Sequence, residues 1–220
     1  METTLAGVNG QDLAPAMRTA ARFLWTTTPA AHLGAYLAGL SQLERVLEFV
    51  EALDHVGFLV PEELAGDLPD AAAAAGFDTD PHGFESTILA RHLAELAQRE
   101  EVPTSIFKAR GTFAGETSAA ETSAAVEVAM PSGVERRLVR EWISQGVGTH
   151  VAFRVSSPEC FGVLTRELAA SGYRMPGFAS GRPLKNPAEG IEAVFFDRRP
   201  AEPVGLEFCC YDESVSSPAS

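Results

Sequence analysis

"DHVGFLV" (residues 54–60) is answered by "THVAFRV" (residues 149–155): the chain writes His-Val-small-Phe-x-Val twice, with the two histidines 95 residues apart. Both heptads are rich in β-branched and aromatic residues, and the first stops at Pro61, so both are expected as strands. The segments after the two heptads also match. "PEELAGDLPDAAAAAGF" and "SPECFGVLTRELAASGY" are expected as helices ending at Gly76 and Gly172, 21 and 22 residues beyond His55 and His150. Ser157, before Pro158, is the expected N-cap of the second. Each half closes on a strand carrying a glutamate, Glu127 in "AVEVAM" and Glu207 in "GLEFCC". His to Glu takes 72 residues in the first copy and 57 in the second, and the surplus fits an extra helix around His92 in "FESTILARHLAELAQREE". A unit of strand, helix and strands is duplicated.

The remaining segments fill in the frame. Residues 11–52 carry apolar positions three and four apart, among them Leu13, Met17, Leu24, Leu43, Val46 and Val50, and predict two helices that break at Pro29. "TSIFKARGTF", "AAVEVAMPSG", "IEAVFFDRR" and "VGLEFCCYD" are expected strands, with "GETSAAETSAA" as a hairpin loop and "GFASGRPLKNPAEG" as a loop or irregular strand. The expected organisation is a helical extension over 1–52, a first module over 53–133 with a helical insertion around 84–100, a second module over 134–213, and a disordered tail over 214–220.

Composition narrows the function classes. A formal net charge of −13 repels phosphate backbones and anionic lipid, so neither nucleic acid nor a membrane surface is an expected partner. No basic leader opens the chain and no apolar run is long enough to span a bilayer, which points to a cytoplasmic protein. The three cysteines, Cys160, Cys209 and Cys210, have no framework spacing and suit a reducing compartment. Cys209 and Cys210 are expected on opposite faces of one strand. Ser105-x-x-Lys108 and the His92/Glu95 pair lack companion motifs, so neither marks a site.

Two modules packed about a pseudo-twofold axis would bring His55 and His150 together, with Glu127 and Glu207 entering the same cavity. Two imidazoles with one carboxylate and open positions form the facial triad used for Fe(II) and O2. A second carboxylate favours a closed Lewis-acid site. Strand parity puts Ala152 and Arg154 with His150, Cys209 and Tyr211 with Glu207, and Gly57 and Leu59 with His55. Arg154, with its planar fork, is expected to hold a substrate carboxylate or to form a salt bridge at the rim, and Tyr211 to orient a bound oxygen or to sit in the core with its hydroxyl satisfied.

The duplicated pattern, with "DHVGFLV" and "THVAFRV" as first strands and "GLEFCCYD" as last strand, resembles the vicinal oxygen chelate superfamily. Glyoxalase I, methylmalonyl-CoA epimerase, the extradiol dioxygenases and the bleomycin- and fosfomycin-resistance proteins belong to that superfamily. The resemblance covers about residues 53–213. It implies an α+β fold of two tandem βαβββ modules forming a cupped, metal-holding sheet, here preceded by a helical segment. It also implies a divalent metal on His55, His150 and Glu207, with Fe(II) first and Zn, Ni, Co or Mn as alternatives. Glu127 matches the fourth ligand position of glyoxalase I, or a base. The expected partner is a small molecule, and a homodimer is compatible. The residues favour, narrowly, a mononuclear non-haem Fe(II) dioxygenase acting on a carboxylate, oxo-acid or aromatic substrate. The alternatives are a glyoxalase- or epimerase-like isomerase or lyase, and a non-catalytic drug-binding protein. His82 and His92 are acid–base candidates only through their place in the insertion.

Overall fold

Alternating apolar residues build strands, and in a computed structural model eight of them, among the described residues, join into one curled sheet. The structure describes residues 10, 12–26, 28–36, 43–78, 82–114, 121–170, 172–174, 183–186, 190–196 and 205–211. The strands are β1 (Val50–Leu59), β2 (His82–Glu85), β3 (Thr104–Ala114), β4 (Glu121–Pro131), β5 (His150–Val155), β6 (Leu184–Asn186), β7 (Ile191–Phe196) and β8 (Gly205–Tyr211). Their order across the sheet is β2-β3-β4-β1-β5-β8-β7-β6. Each half runs first strand, fourth, third, second outward from the centre. The first strand of each half pairs parallel with the fourth, β1 with β4 and β5 with β8. β1 and β5 pair antiparallel at the join. The duplication in the sequence is therefore a duplication of βαβββ units in space, and the architecture is the α+β cup that the resemblance implies.

Among the described residues, seven α-helices dress the sheet: α1 (Leu13–Thr26), α2 (Pro29–Tyr36), α3 (Leu43–Leu47), α4 (Leu68–Ala74), α5 (Thr87–Ala97), α6 (Arg136–Ser144) and α7 (Phe161–Ala170). A 3-10 turn precedes both α4 and α7, and Ser157 caps the second by accepting from the Glu159 amide. Gly76 and Gly172 end the two helical segments at φ +90° and +86°, a region that only glycine enters freely. The stretch expected as the second N-terminal helix instead holds α2, α3 and the start of β1. The apolar spacing of Val46, Leu47 and Val50 reads as helical, yet Val50 pairs with Val155 of β5. Tertiary pairing there overrides local pattern.

The sheet's two faces are packed differently. On the convex face, α1, α4 and α7 bury Met17, Phe23, Val56, Phe58, Phe153, Leu164 and Phe208 in the main core. Removing each large side chain from water stabilises the fold by roughly 1.5–3 kcal/mol. On the concave face a smaller cluster gathers Leu59, Leu93, Ile106, Val139, Trp142 and Ile143 under α5 and α6 at one end of the cup. The rest of the concave face is left for polar chemistry. Cys209 and Cys210 lie on opposite faces of β8, and all three cysteines are free thiols. The expected tail and the start of the "GETSAAETSAA" loop lie outside the described residues, while the second "ETSAA" is the first half of β4.

Candidate metal centre

His55, Glu127, His150 and Glu207 stand on β1, β4, β5 and β8, the four central strands. His55 sits opposite Ala125 and Ala152, Gly57 opposite Glu127 and His150, and Ala152 opposite Glu207. Small residues therefore face each donor across the ladder. Gly57 is required there: a Cβ at this position would lie 2.0 Å from Cε1 of His150. The missing side chain is the space that the imidazole fills.

The two histidines point the same nitrogen inward for different reasons. The Nδ1–H of His150 donates to the Gly148 carbonyl at 3.0 Å. The Nδ1–H of His55 donates to Asp54 Oδ2 at 2.9 Å. Each bond fixes the tautomer and leaves Nε2 as the inward atom. The two Nε2 atoms are 3.1 Å apart. Glu207 Oε2 lies 3.3 Å from Nε2 of His55 and 3.2 Å from that of His150. Glu127 Oε2 lies 3.4 Å from Nε2 of His55. Donor atoms of His55, Glu127 and His150 all fall within 4.8 Å of one another.

These separations suit one divalent ion. With bonds of about 2.1 Å, donors around an ion stand about 3.0 Å apart at octahedral corners and about 3.4 Å at tetrahedral ones. The charges agree. Asp54, Glu127 and Glu207 are buried carboxylates, whereas Lys108 and Arg154 are the cations that touch them. Protons fill the deficit otherwise. Burial lowers the proton affinity of His55, but Glu127, Asp54 and Glu207 outweigh it and hold its pKa well above the usual imidazole value. Burial raises Glu207, and its bonds to His150 and His55 outweigh that and hold it down at about 2.

Two groups that sequence reading did not single out hold the donors in place. Lys108 Nζ is 2.6 Å from Glu127 Oε1, an ion-pair contact off the hydrogen-bond direction, and the lysine is itself buried. The pair is set by register, since Lys108 faces Glu127 across β3 and β4. Asp54 reaches the site through a β-bulge. Leu53 and His55 of β1 oppose the adjacent residues Phe153 and Ala152 of β5, so one extra residue enters β1. Such a bulge re-aims a side chain. Asp54 and His55 consequently both reach the donor network, while Leu53 and Val56 go to the core. The signal for Lys108 is a charge that shares the face of Ile106 on a strand otherwise bound for the interior.

Arg154 and Tyr211 have the parity expected of them, but both close on Asp54. Arg154 Nη2 donates to Asp54 Oδ1 at 2.9 Å, and the Tyr211 hydroxyl donates to Oδ2 at 2.8 Å. The guanidinium also lies over the Tyr211 ring, 4.9 Å from its centroid. Burial raises the Asp54 carboxyl, yet its bonds to His55 and Arg154, with the charges of His55 and Lys108, hold it far below the usual range. Neither Arg154 nor Tyr211 lines the cavity beside the donors.

That cavity is about 370 Å³. Glu127, His150 and Glu207 form part of its wall, and the rest is mainly apolar, with Leu89 and Leu96 of α5, Ile106 and Phe195. Phe195 meets the His150 ring edge to face at 6.3 Å between centroids. Phe107 and Phe153 belong to the convex core. His92 lines the cavity, while the side chains of His32 and His82 lie outside the described residues.

No family model and no curated protein matches the chain. Among solved structures, it is similar to a variant of the Streptomyces coelicolor methylmalonyl-CoA epimerase in complex with 2-nitronate-propionyl-CoA, at 18% identity and a TM-score of 0.47, over 77% of this chain and 99% of that one. A methylmalonyl-CoA epimerase in complex with methylmalonyl-CoA and NH4+ matches at 17% identity and 0.47, over 77% and 99%. The methylmalonyl-CoA epimerase from Mycobacterium tuberculosis matches at 16% and 0.47, over 77% and 94%.

Proposed function

We propose that the chain is a metal-dependent isomerase or lyase that moves a proton next to a carbonyl of a small substrate with neighbouring oxygens. The observation that carries this reading is the place of Glu127. It lies in the donor cluster beside His55, giving two imidazoles and two carboxylates instead of a triad with open positions. The narrow preference for an oxygenase rested on Phe-rich strands and Arg154 suiting an aromatic or oxo-acid substrate. Phe107 and Phe153 belong to the convex core, and Arg154 is engaged by Asp54. A divalent ion held by His55, His150, Glu207 and Glu127 would polarise a carbonyl and stabilise the charge left by proton loss.

The protein's own groups then have distinct tasks. Glu127 is the proton carrier, because it lines the cavity and its Oε1 is held by Lys108. Lys108 holds the carboxylate in its place. Glu207 is more deeply buried and serves as a fixed donor. Apolar walls exclude water from the carbanion-like state.

The test is deuterium exchange. Metal-loaded protein is given 2-hydroxyacetophenone in D2O, with and without O2, and followed by NMR and an oxygen electrode. Exchange of the α-protons at a rate independent of O2, and lost in Glu127→Gln, is expected. Stoichiometric O2 uptake without exchange would restore the oxygenase reading.

A further inference from the structure

The four donor strands are the floor of the cup, and α5 is its roof. The helix is inserted between β2 and β3, the place where the first copy is longer than the second. Ser86 caps it by accepting from the Leu89 amide, and Gln98 ends it in the left-handed region at φ 53°. Leu93 and Ala94 anchor it in the concave cluster. The helix touches β3 in the first half and β6 in the second. Those strands lie on opposite arms of the sheet, so a helix that reaches both spans the concave face. Leu89, His92 and Leu96, three and four residues apart, face the cavity.

Among the described residues lining the cavity, His92 is the one titratable side chain outside the donor set. His92 shares the cavity with Glu127, His150 and Glu207, so a substrate held at the donors of the floor has α5 as another wall. Imidazole is the side chain best suited to both giving and taking a proton near neutral pH.

We propose that His92 is a second catalytic acid–base residue, acting on the substrate face turned away from Glu127. This rests on the isomerase reading above. Glu127 takes the α-proton, and the electron pair of the broken C–H bond passes to the carbonyl oxygen. His92, entering as imidazolium, returns a proton to carbon from the opposite side as that pair comes back. The turnover leaves Glu127 protonated and His92 neutral, and exchange with water resets both. No oxidant or reductant is consumed.

The experiment separates this proposal from the reading beneath it. Zn-loaded protein carrying ¹⁵N-histidine is titrated with benzohydroxamate, an apolar ligand with two neighbouring oxygens, and the His92 signals are assigned by their loss in His92→Gln. The expected result is saturable binding, a shift of the His92 ring nitrogens, and a fall in affinity of about fivefold or more in His92→Gln with metal content unchanged. Binding with a silent His92 and an unaffected variant would overturn the role of His92 and leave the metal-site reading intact. Metal-loaded protein that binds no hydroxamate would overturn both. In turnover, (R)-2-hydroxy-1-phenylpropan-1-one in D2O should show inversion falling at least tenfold relative to deuterium uptake in His92→Gln. An unchanged ratio would contradict the proposal.

Discussion

The two copies of the module repeat the donors but not what holds them. In the first copy His55 is fully buried and braced by Asp54, which is itself held by Arg154 and Tyr211. Its carboxylate, Glu127, is paired with Lys108. In the second copy His150 is braced by a backbone carbonyl and is partly open to the cavity. Its carboxylate, Glu207, contacts only the two imidazoles among the ion pairs formed by described residues. The first copy adds charged braces behind its donors, and the second leaves its histidine partly open to the cavity. Duplication fixes where the donors sit on the strands, while a bulge and one register pair make the halves chemically unequal.

The largest effect that would break this inequality is at Lys108. Lys108→Met leaves the Glu127 charge buried without its cation. Removing one member of a buried pair costs about 3–5 kcal/mol, so metal-free protein should lose that much stability in urea unfolding. Added metal should restore part of it, since the ion neutralises the same carboxylate. Among the described residues no comparable cation pairs with Glu207, so there is no matching variant in the second copy.

Next in size are the histidines. If four donors share the roughly 10–16 kcal/mol of a well-held divalent ion, each contributes about 2.5–4 kcal/mol. His55→Ala and His150→Ala should both lose most bound metal by elemental analysis. They should differ without metal, because only His55→Ala strips a partner from buried Asp54. Equal unfolding midpoints for the two metal-free variants would remove the asymmetry.

A smaller effect belongs to Asp54. Asp54→Asn keeps the shape but removes the charge behind His55, and loss of such a support weakens metal binding about 10- to 100-fold. Proton release sharpens the point. His55 has a raised pKa in the metal-free protein, so it enters protonated near neutrality, and the ion must expel that proton. Metal affinity should therefore fall as pH falls. Calorimetry in buffers of different ionisation heats should show less proton release for Asp54→Asn than for the wild type.

The sequence carries the donors because they repeat. Two heptads and two glutamates at matching places need only strand periodicity to converge, and small residues opposite them confirm the room. Asp54 was inside the first heptad, but its role depends on a bulge, which alternation along a single strand does not reveal. Arg154 had the right parity and the wrong neighbour for a substrate clamp, since parity gives a face and not a partner. Lys108 depended on the register between β3 and β4, set by a hairpin whose loop lies outside the described residues. α6 was not assigned, although Leu138, Val139, Trp142 and Ile143 carry helical spacing and all pack under the cup. β2 was absorbed into the helix after it, because four residues are too few for a period to show.

The central claim is one centre with two imidazoles and two carboxylates, and metal affinity in paired variants tests it most directly. Glu127→Gln and Glu207→Gln are each titrated with Co(II), following the visible absorption of the bound ion. The account predicts that the two variants lose affinity to within about threefold of each other, each by some 1–3 kcal/mol, as expected for loss of a charged donor. Full affinity and an unchanged spectrum in Glu127→Gln, with a clear loss in Glu207→Gln, would contradict it and leave a three-donor site.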